Sequence, residues 1–220
     1  AELFMGKLAR IGLEEHIMAP DMQIGTVEDL IKGELSDSLI ALLKGNHDNW
    51  AGHYQNFVMT LAQSIHPTGH DRPGIPYIGI GGEIDLTVGA QAYRIAAWHR
   101  YPGGSAINKG NNQRRVNVDH KGPDVTVLAH LHYNYMEGTD DIRLRCGALK
   151  VTDEHSRDAA GNVQADTRMP MIIFHPARKS MIVFQDFREG IEPLLWYRRR
   201  WASYPDWRVD PSRLANLLAQ

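Results

Sequence analysis

Apolar runs of strand length recur along the chain, and three of them run out into coordinating side chains. "SLIALLKG" (38–45) is a continuous apolar run, the pattern of a strand buried on both sides, and it leads into Asn46-His47-Asp48. The segment "IPYIGIGGEIDLTVGAQAYRIAAWH" predicts several short strands, with a hairpin turn in "TVGAQAY", and its last run ends at His99. "DVTVLAHLH" (124–132) predicts another apolar strand, which ends in His130 and His132. Further on, "IRLRCGALKV" alternates, with Ile142, Leu144 and Cys146 on one face and Arg143 and Arg145 on the other. "PMIIFHPARKSMIVFQDF" predicts a hairpin across "HPARKS".

Helical periodicity alternates with these runs. In "NWAGHYQNFVMTLAQSI", Trp50, Tyr54, Phe57, Val58, Leu61 and Ile65 recur at spacings of three and four, with Asp48 or Asn49 placed as cap. Residues 1–20 read as helix. Thr26 and Asp29 form a capping-type opening with Val27, Leu30 and Ile31 on one face, and Asp210 with Pro211 opens a last helix. Residues 100–123 are polar and Gly/Asn-rich, a long loop holding one helix. With no internal repeat or linker, the chain reads as a single α/β domain over 1–220.

Composition narrows the class only a little. The chain has 220 residues, which suits one substantial core. A net charge of −2 argues against a basic footprint over the whole surface and leaves room for a local patch. The single cysteine, Cys146, excludes an internal disulfide and fits a reducing setting. No apolar run approaches transmembrane length, and the N-terminus lacks a signal-peptide layout. The expected setting is the cytoplasm, that of the host cell if the chain is phage-encoded, with no membrane partner.

The strand ends carry the chemistry. In open α/β sheets, sites form outside the carboxyl ends of strands, and neutral imidazole is the commonest metal ligand. A lone histidine at a strand end is usually structural, and His53, His66, His70, His120, His155 and His175 are read that way. Asn46-His47-Asp48, His99 and the His130/His132 pair differ in their order and context. In an extended segment His130 and His132 would point to one side, so one strand end could offer two ligands.

These residues resemble the calcineurin-like metallophosphoesterase superfamily. "GNHD", then a histidine after a strand ("AAWH"), then "AHLH" are similar to the last three of its five motif blocks, in order. The resemblance extends from about residue 38 to 185, and "HRYPGGSAIN" and "RCGALKVTDEHSR" look like segments of its phage-type branch. Ala129 stands where the family usually has Gly. The first two blocks, Asp-x-His and Gly-Asp-x-x-Asp, are absent: no Asp-x-His precedes residue 45 and no Gly-Asp occurs in the chain. Asp153-x-His155 lies after the other motifs and is not read as a displaced first block. The opening "AELFMGKLAR" is similar to the helical stretch that follows the second block, so the chain is expected to begin just after that block, with the domain incomplete at its N-terminus.

The resemblance implies a metallophosphoesterase-like β-sandwich flanked by helices (αββα) and a hydrolase using two divalent cations, Mn, Fe, Zn or Mg. Asn46, His99 and His130 would bind the second metal and His132 the first. His47 would assist the leaving group, and Asp48 would orient it and raise its pKa. A hydroxide formed between the metals would attack a phosphodiester or phosphomonoester, with nucleotides and nucleic acid among the candidates. With the first blocks absent, the first metal is expected to bind weakly or not at all. An upstream segment or a partner chain would complete the site. The alternatives are a catalytically inactive structural or binding protein of the same fold, or one chain of a two-chain enzyme. Lys109, Arg100, Arg114 and Arg115 read as solvated loop charges before phosphate contacts. "WYRRRW" (196–201) reads as a solvated helix face with buried Trp before a single-strand platform.

Overall fold

The computed structural model describes residues 29, 39–45, 57–65, 74–103, 108–147 and 166–202. They divide into two units. One holds 39–45, 57–65, 74–82 and Trp98–Arg100, and the other holds Glu83–Ala97, 101–103, 108–147 and 166–202. The expected elements over 1–20 and 210–211 lie outside the described residues, as do Trp50, Tyr54 and the caps Asp48 and Asn49; of 26–31 only Asp29 is described, helical and exposed as expected.

In the first unit, α1 (Phe57–Ser64) forms where the spacing predicts it. Leu61, Ala62 and Ile65 are buried with Ile75, and Leu39, Leu42 and Tyr77 pack against them. Residues 39–45 run beside 76–79 through Leu42 N–H to Pro76 O, Ile78 N–H to Leu42 O and Lys44 N–H to Gly79 O at 2.7–3.1 Å. This corrects the expectation of a strand buried on both sides. Among the described residues the segment makes one isolated parallel bridge, Leu42 to Tyr77, and Ile40 is 52% exposed. A continuous apolar run reports burial propensity, and among the described residues the backbone partner of 39–45 is the 76–79 segment.

The second unit is layered. Strands β1 (Gly81–Val88) and β2 (Gln91–Trp98) are two long strands in place of several short ones. They meet at Gly89-Ala90, the turn expected in "TVGAQAY", where Gly89 takes φ +60°. A Cβ at Gly89 would also collide with Pro176. Next come α2 (Asn111–Asp119), β3 (Val125–Leu128), β4 (Tyr135–Glu137) and β5 (Ile142–Arg145). The five strands form one sheet in the order β1-β2-β3-β5-β4, with β3 parallel to β5 and β4 antiparallel to it. The hairpin across "HPARKS" forms as expected, from β6 (Met171–Phe174) and β7 (Met181–Phe184), and makes a separate two-stranded sheet.

The period of two sorts the strand residues by face. Ile95, Val125, Ile142 and Leu144 point to one side and are buried against Ile172, Phe174, Met181 and Val183 of the small sheet. On the other side of the large sheet lies α2. Only Asn112, Gln113 and Val116 of this polar helix are buried, so it docks chiefly by hydrogen bonds. On the outer face of β6–β7 lies α3 (Phe187–Ala202), where Gly190 meets Met171 and Phe184 with no room for a Cβ. The layers are therefore helix, sheet, sheet, helix, the αββα order that the sequence implies.

Asp186 caps α3. Its carboxylate accepts the Arg188 backbone N–H at 3.0 Å and a guanidinium N–H of Arg188 at 2.8 Å. The Arg188 side chain holds this carboxyl below its ordinary 3.8, at about 2. A depressed carboxylate stabilises the fold above its unfolded pKa. The contribution of Asp186 is thus present above about pH 4 and is lost as pH falls toward 2.

Two outcomes are expected. In chemical denaturation, Leu144→Ala should cost about 3 kcal/mol through the cavity it leaves, while Ile182→Ala on the outer face should cost under about 0.5 kcal/mol. In a carboxyl NMR titration, Asp186 should titrate near 2 in the wild type and move up toward the ordinary carboxylate value in Arg188→Met.

Candidate functional site

Strand β3 delivers the His-x-His segment. Val125, Thr126 and Leu128 are almost fully buried, and Leu128 O accepts the Cys146 N–H at 2.9 Å, which ends the ladder with β5. Beyond it the chain turns sharply. Ala129 O accepts the Leu131 N–H at 2.9 Å, closing a three-residue turn around His130, whose φ is +72°. That is the rare, strained form of γ-turn. His132 follows at φ +51°.

This corrects the extended reading of His130 and His132. The strand stops at Leu128, and the two histidines sit on a left-handed turn that side chains with a Cβ seldom adopt. Ala129 lies outside the left-handed region, so replacement of the usual Gly carries no strain there. Backbone of this kind persists only where surrounding contacts over-determine it.

Four contacts fasten the segment. The Arg145 guanidinium donates to Ala129 O at 2.8 Å. Asp166 N–H donates to His132 O at 3.1 Å. The Asn134 amide donates to Gln185 O at 3.0 Å, and the Tyr133 hydroxyl donates to Lys109 O at 3.0 Å. The Tyr133 ring lies near two cations, with the Arg145 guanidinium 4.9 Å and Lys109 Nζ 5.2 Å from its centroid.

Arg145 is the least ordinary of these groups, at 1% exposed. Burial lowers its pKa, and the groups opposing that effect are Tyr133 and Cys146, with no carboxylate among them. The Cys146 thiol is itself pushed up to about 11 by burial, so it stays neutral. The cation is held instead by Ala129 O, by the Tyr133 ring and by Gln113, whose side-chain oxygen accepts from Arg145 Nε at 3.3 Å. The Gln113 amide in turn reaches Lys109 O at 3.3 Å.

His99 follows β2 directly, as expected. It is half-buried, and its N–H donates to Ile80 O at 2.9 Å. It belongs to the first unit, while His130 and His132 belong to the second. Asn46, His47 and Asp48 lie outside the described residues. Among the described residues no three His, Cys, Asp or Glu side chains gather as a metal set. Two imidazoles on one turn fall short of the usual three or four protein ligands, so no reaction step is routed through a metal here.

The basic residues that follow His99 in the sequence divide. Arg114 sits on α2 and pairs with Glu137, whose carboxyl it holds below the usual range, while Arg100 is exposed. His120 pairs with Glu83 at 2.7 Å, consistent with a structural reading.

Comparison with known proteins adds little. No family model matches the chain, and no curated protein does. Among solved structures, a single mutant of Vps29 from Entamoeba histolytica aligns at 12% identity with a TM-score of 0.38, covering 77% of this chain and 93% of its own. A double mutant of the same protein aligns at 11% identity and TM-score 0.38, covering 77% and 92%. Likenesses of this size assign neither family nor function.

Arg145 and Gln113 were not singled out in the sequence. The alternation places Arg145 on a polar face, and only the docking of α2 buries that face. Arg145→Met should leave Ala129 O and Gln113 without their donor and release the turn. The expected readout is movement of the His130 and His132 Cα resonances out of the left-handed range by NMR. Arg143→Met, one register step away, should leave them in place.

Proposed function

We propose that this chain is a metal-dependent phosphoesterase acting on phosphodiester or phosphomonoester bonds. The observation that carries the reading is the His130-Leu131-His132 turn. It stands at the end of a buried strand, in strained left-handed backbone, at the motif position where the sequence resemblance asks for two ligands. Placement of His99 directly after β2 supports the same reading.

In this proposal Asn46, His99 and His130 hold one divalent cation, and His132 contributes to a second. The cations would supply charge neutralisation at the phosphoryl oxygens and an activated water. His47 donates a proton to the leaving oxygen, and Asp48 holds its imidazole in orientation and keeps it protonated to higher pH. The mixed nitrogen and oxygen donors suit Mn, Fe, Zn or Mg. Phosphodiesters and phosphomonoesters, including nucleotides and nucleic acid, are the substrate class.

One sequence observation favours a second reading. The 220 residues contain no Gly-Asp, so the carboxylate that would bridge the two cations has no counterpart in them. A partner chain or upstream segment would then supply it, or the fold would serve as a binding protein without turnover.

The test is native mass spectrometry with Mn²⁺ or Zn²⁺, followed by hydrolysis of bis(p-nitrophenyl) phosphate. The chain should hold one cation, and His130→Ala should weaken it at least about tenfold. With the missing carboxylates supplied, by an upstream segment or by a partner chain, hydrolysis should appear. His47→Gln should then keep the metal and lose roughly 10²–10⁴-fold in rate. Absence of any bound cation, with His130→Ala unchanged from wild type, would sink the proposal.

A further inference from the structure

The α3 helix and the outer face of β6–β7 enclose a cleft of about 230 Å³. Ile173 and Ile182 line it from the sheet, Trp196 and Arg200 from the helix, and His175 and Arg178 from the hairpin turn. Among the described residues no carboxylate lines it.

The sequence pattern favoured a solvated helix face with buried Trp at 196–201, and the structure corrects this for Trp196, which is 51% exposed. Its ring edges against Tyr197 at 5.0 Å, and the Arg200 guanidinium lies 5.4 Å from its centroid. The spacing of four puts Trp196 and Arg200 on one helix face. A single half-exposed Trp is ordinary. A Trp that shares a cleft with two arginines over an apolar floor has the makings of a stacking platform.

The turn opposite is firmly held. Tyr93 is buried, and its hydroxyl donates to His175 O at 2.7 Å and receives the Ser180 N–H at 3.3 Å. His175 Nδ1 accepts the N–H groups of Ala177 and Arg178 at 3.1 and 3.2 Å, so Nε2 carries the proton of the neutral ring. Burial first, and then Arg178, lowers the His175 pKa and keeps it neutral. Arg178 is thus presented from a rigid turn. Its neighbour Lys179 is paired with Asp124 at 2.9 Å.

Size limits the ligand. The cleft is smaller than the roughly 300–1,000 Å³ of sites that enclose whole small molecules. We propose that it binds one nucleotide unit, of a single strand or free, with the base stacked on Trp196 and the phosphate held by Arg178 and Arg200. This inference is independent of the phosphoesterase reading, because none of the motif residues lines the cleft.

The experiment is a fluorescence and calorimetric titration of the whole chain, with EDTA present, against AMP, a short oligothymidylate and the matching duplex, at about 50 and 200 mM salt. Saturable binding is expected for AMP or the oligonucleotide, with the duplex weaker. Oligonucleotide tighter than AMP identifies a strand, and parity identifies a free nucleotide. Trp196→Ala should weaken binding about tenfold or more, and Trp196→Phe should restore most of it. Arg200→Gln and Arg178→Gln should each weaken binding, and with the oligonucleotide each should reduce the salt slope by about one. No binding of either single-stranded ligand would overturn the proposal. So would binding that Trp196→Ala and Arg200→Gln leave unchanged while circular dichroism shows them folded.

Discussion

The parallel pairing of β3 with β5 is the constraint on which the second unit depends. Both strands are four residues long and covered on both faces, so their register, Val125 to Ile142 through Leu128 to Arg145, decides what is buried on each side. A one-residue slip of β5 would send Ile142 and Leu144 toward α2 and carry Arg143 and Arg145 into the sandwich core. The same register sets Arg145 opposite Leu128, which brings its guanidinium within reach of Ala129 O. The apolar face and the histidine turn are thus two consequences of one alignment.

The two faces of the large sheet are held together by different physics. Toward β6–β7 the contact is apolar, and its stability scales with area removed from water. Toward α2 it is polar. Asn112 donates to Tyr101 O at 2.7 Å, Gln113 meets Arg145, and Arg114 pairs with Glu137. Satisfied polar contacts add little net stability, and a buried one such as Gln113 with Arg145 costs a great deal when one partner is removed. They suit a face that must hold a strained turn in one geometry. The buried Arg145 illustrates this, since its charge is met by a carbonyl, an amide and a ring.

The outer cleft draws on neither arrangement. It is built where α3 crosses the back of the small sheet, with Tyr93 of the large sheet reaching through to fasten the turn between β6 and β7. Asp186 fixes the start of α3, and the register of β6 with β7 sets Ile173 beside Ile182 on its floor. The hairpin and the helix therefore present arginines and a Trp from positions that packing has already settled, which lowers the ordering cost of binding.

Much of this was legible in the sequence. The period of two marked β5 and placed its apolar face correctly. Gly89 announced the β1–β2 turn, "HPARKS" announced the β6–β7 turn, and the spacing of Phe57, Val58, Leu61 and Ile65 marked α1. Each of these signals is local, because alternation, turn chemistry and helical spacing are properties of neighbouring residues. The sequence by itself also determined the order of Asn, His and Asp at strand ends, and with it the chemistry to look for. Tertiary structure alone decided that residues 39–45 are only half covered, that Trp196 stands in water, and that Arg145 is buried without a carboxylate. It also turned His130 and His132 out of the extended conformation. Those outcomes depend on which distant element packs against a given face. An arginine in an alternating strand reads the same whether its face meets water or a helix carrying Gln113, and only the folded chain distinguishes them.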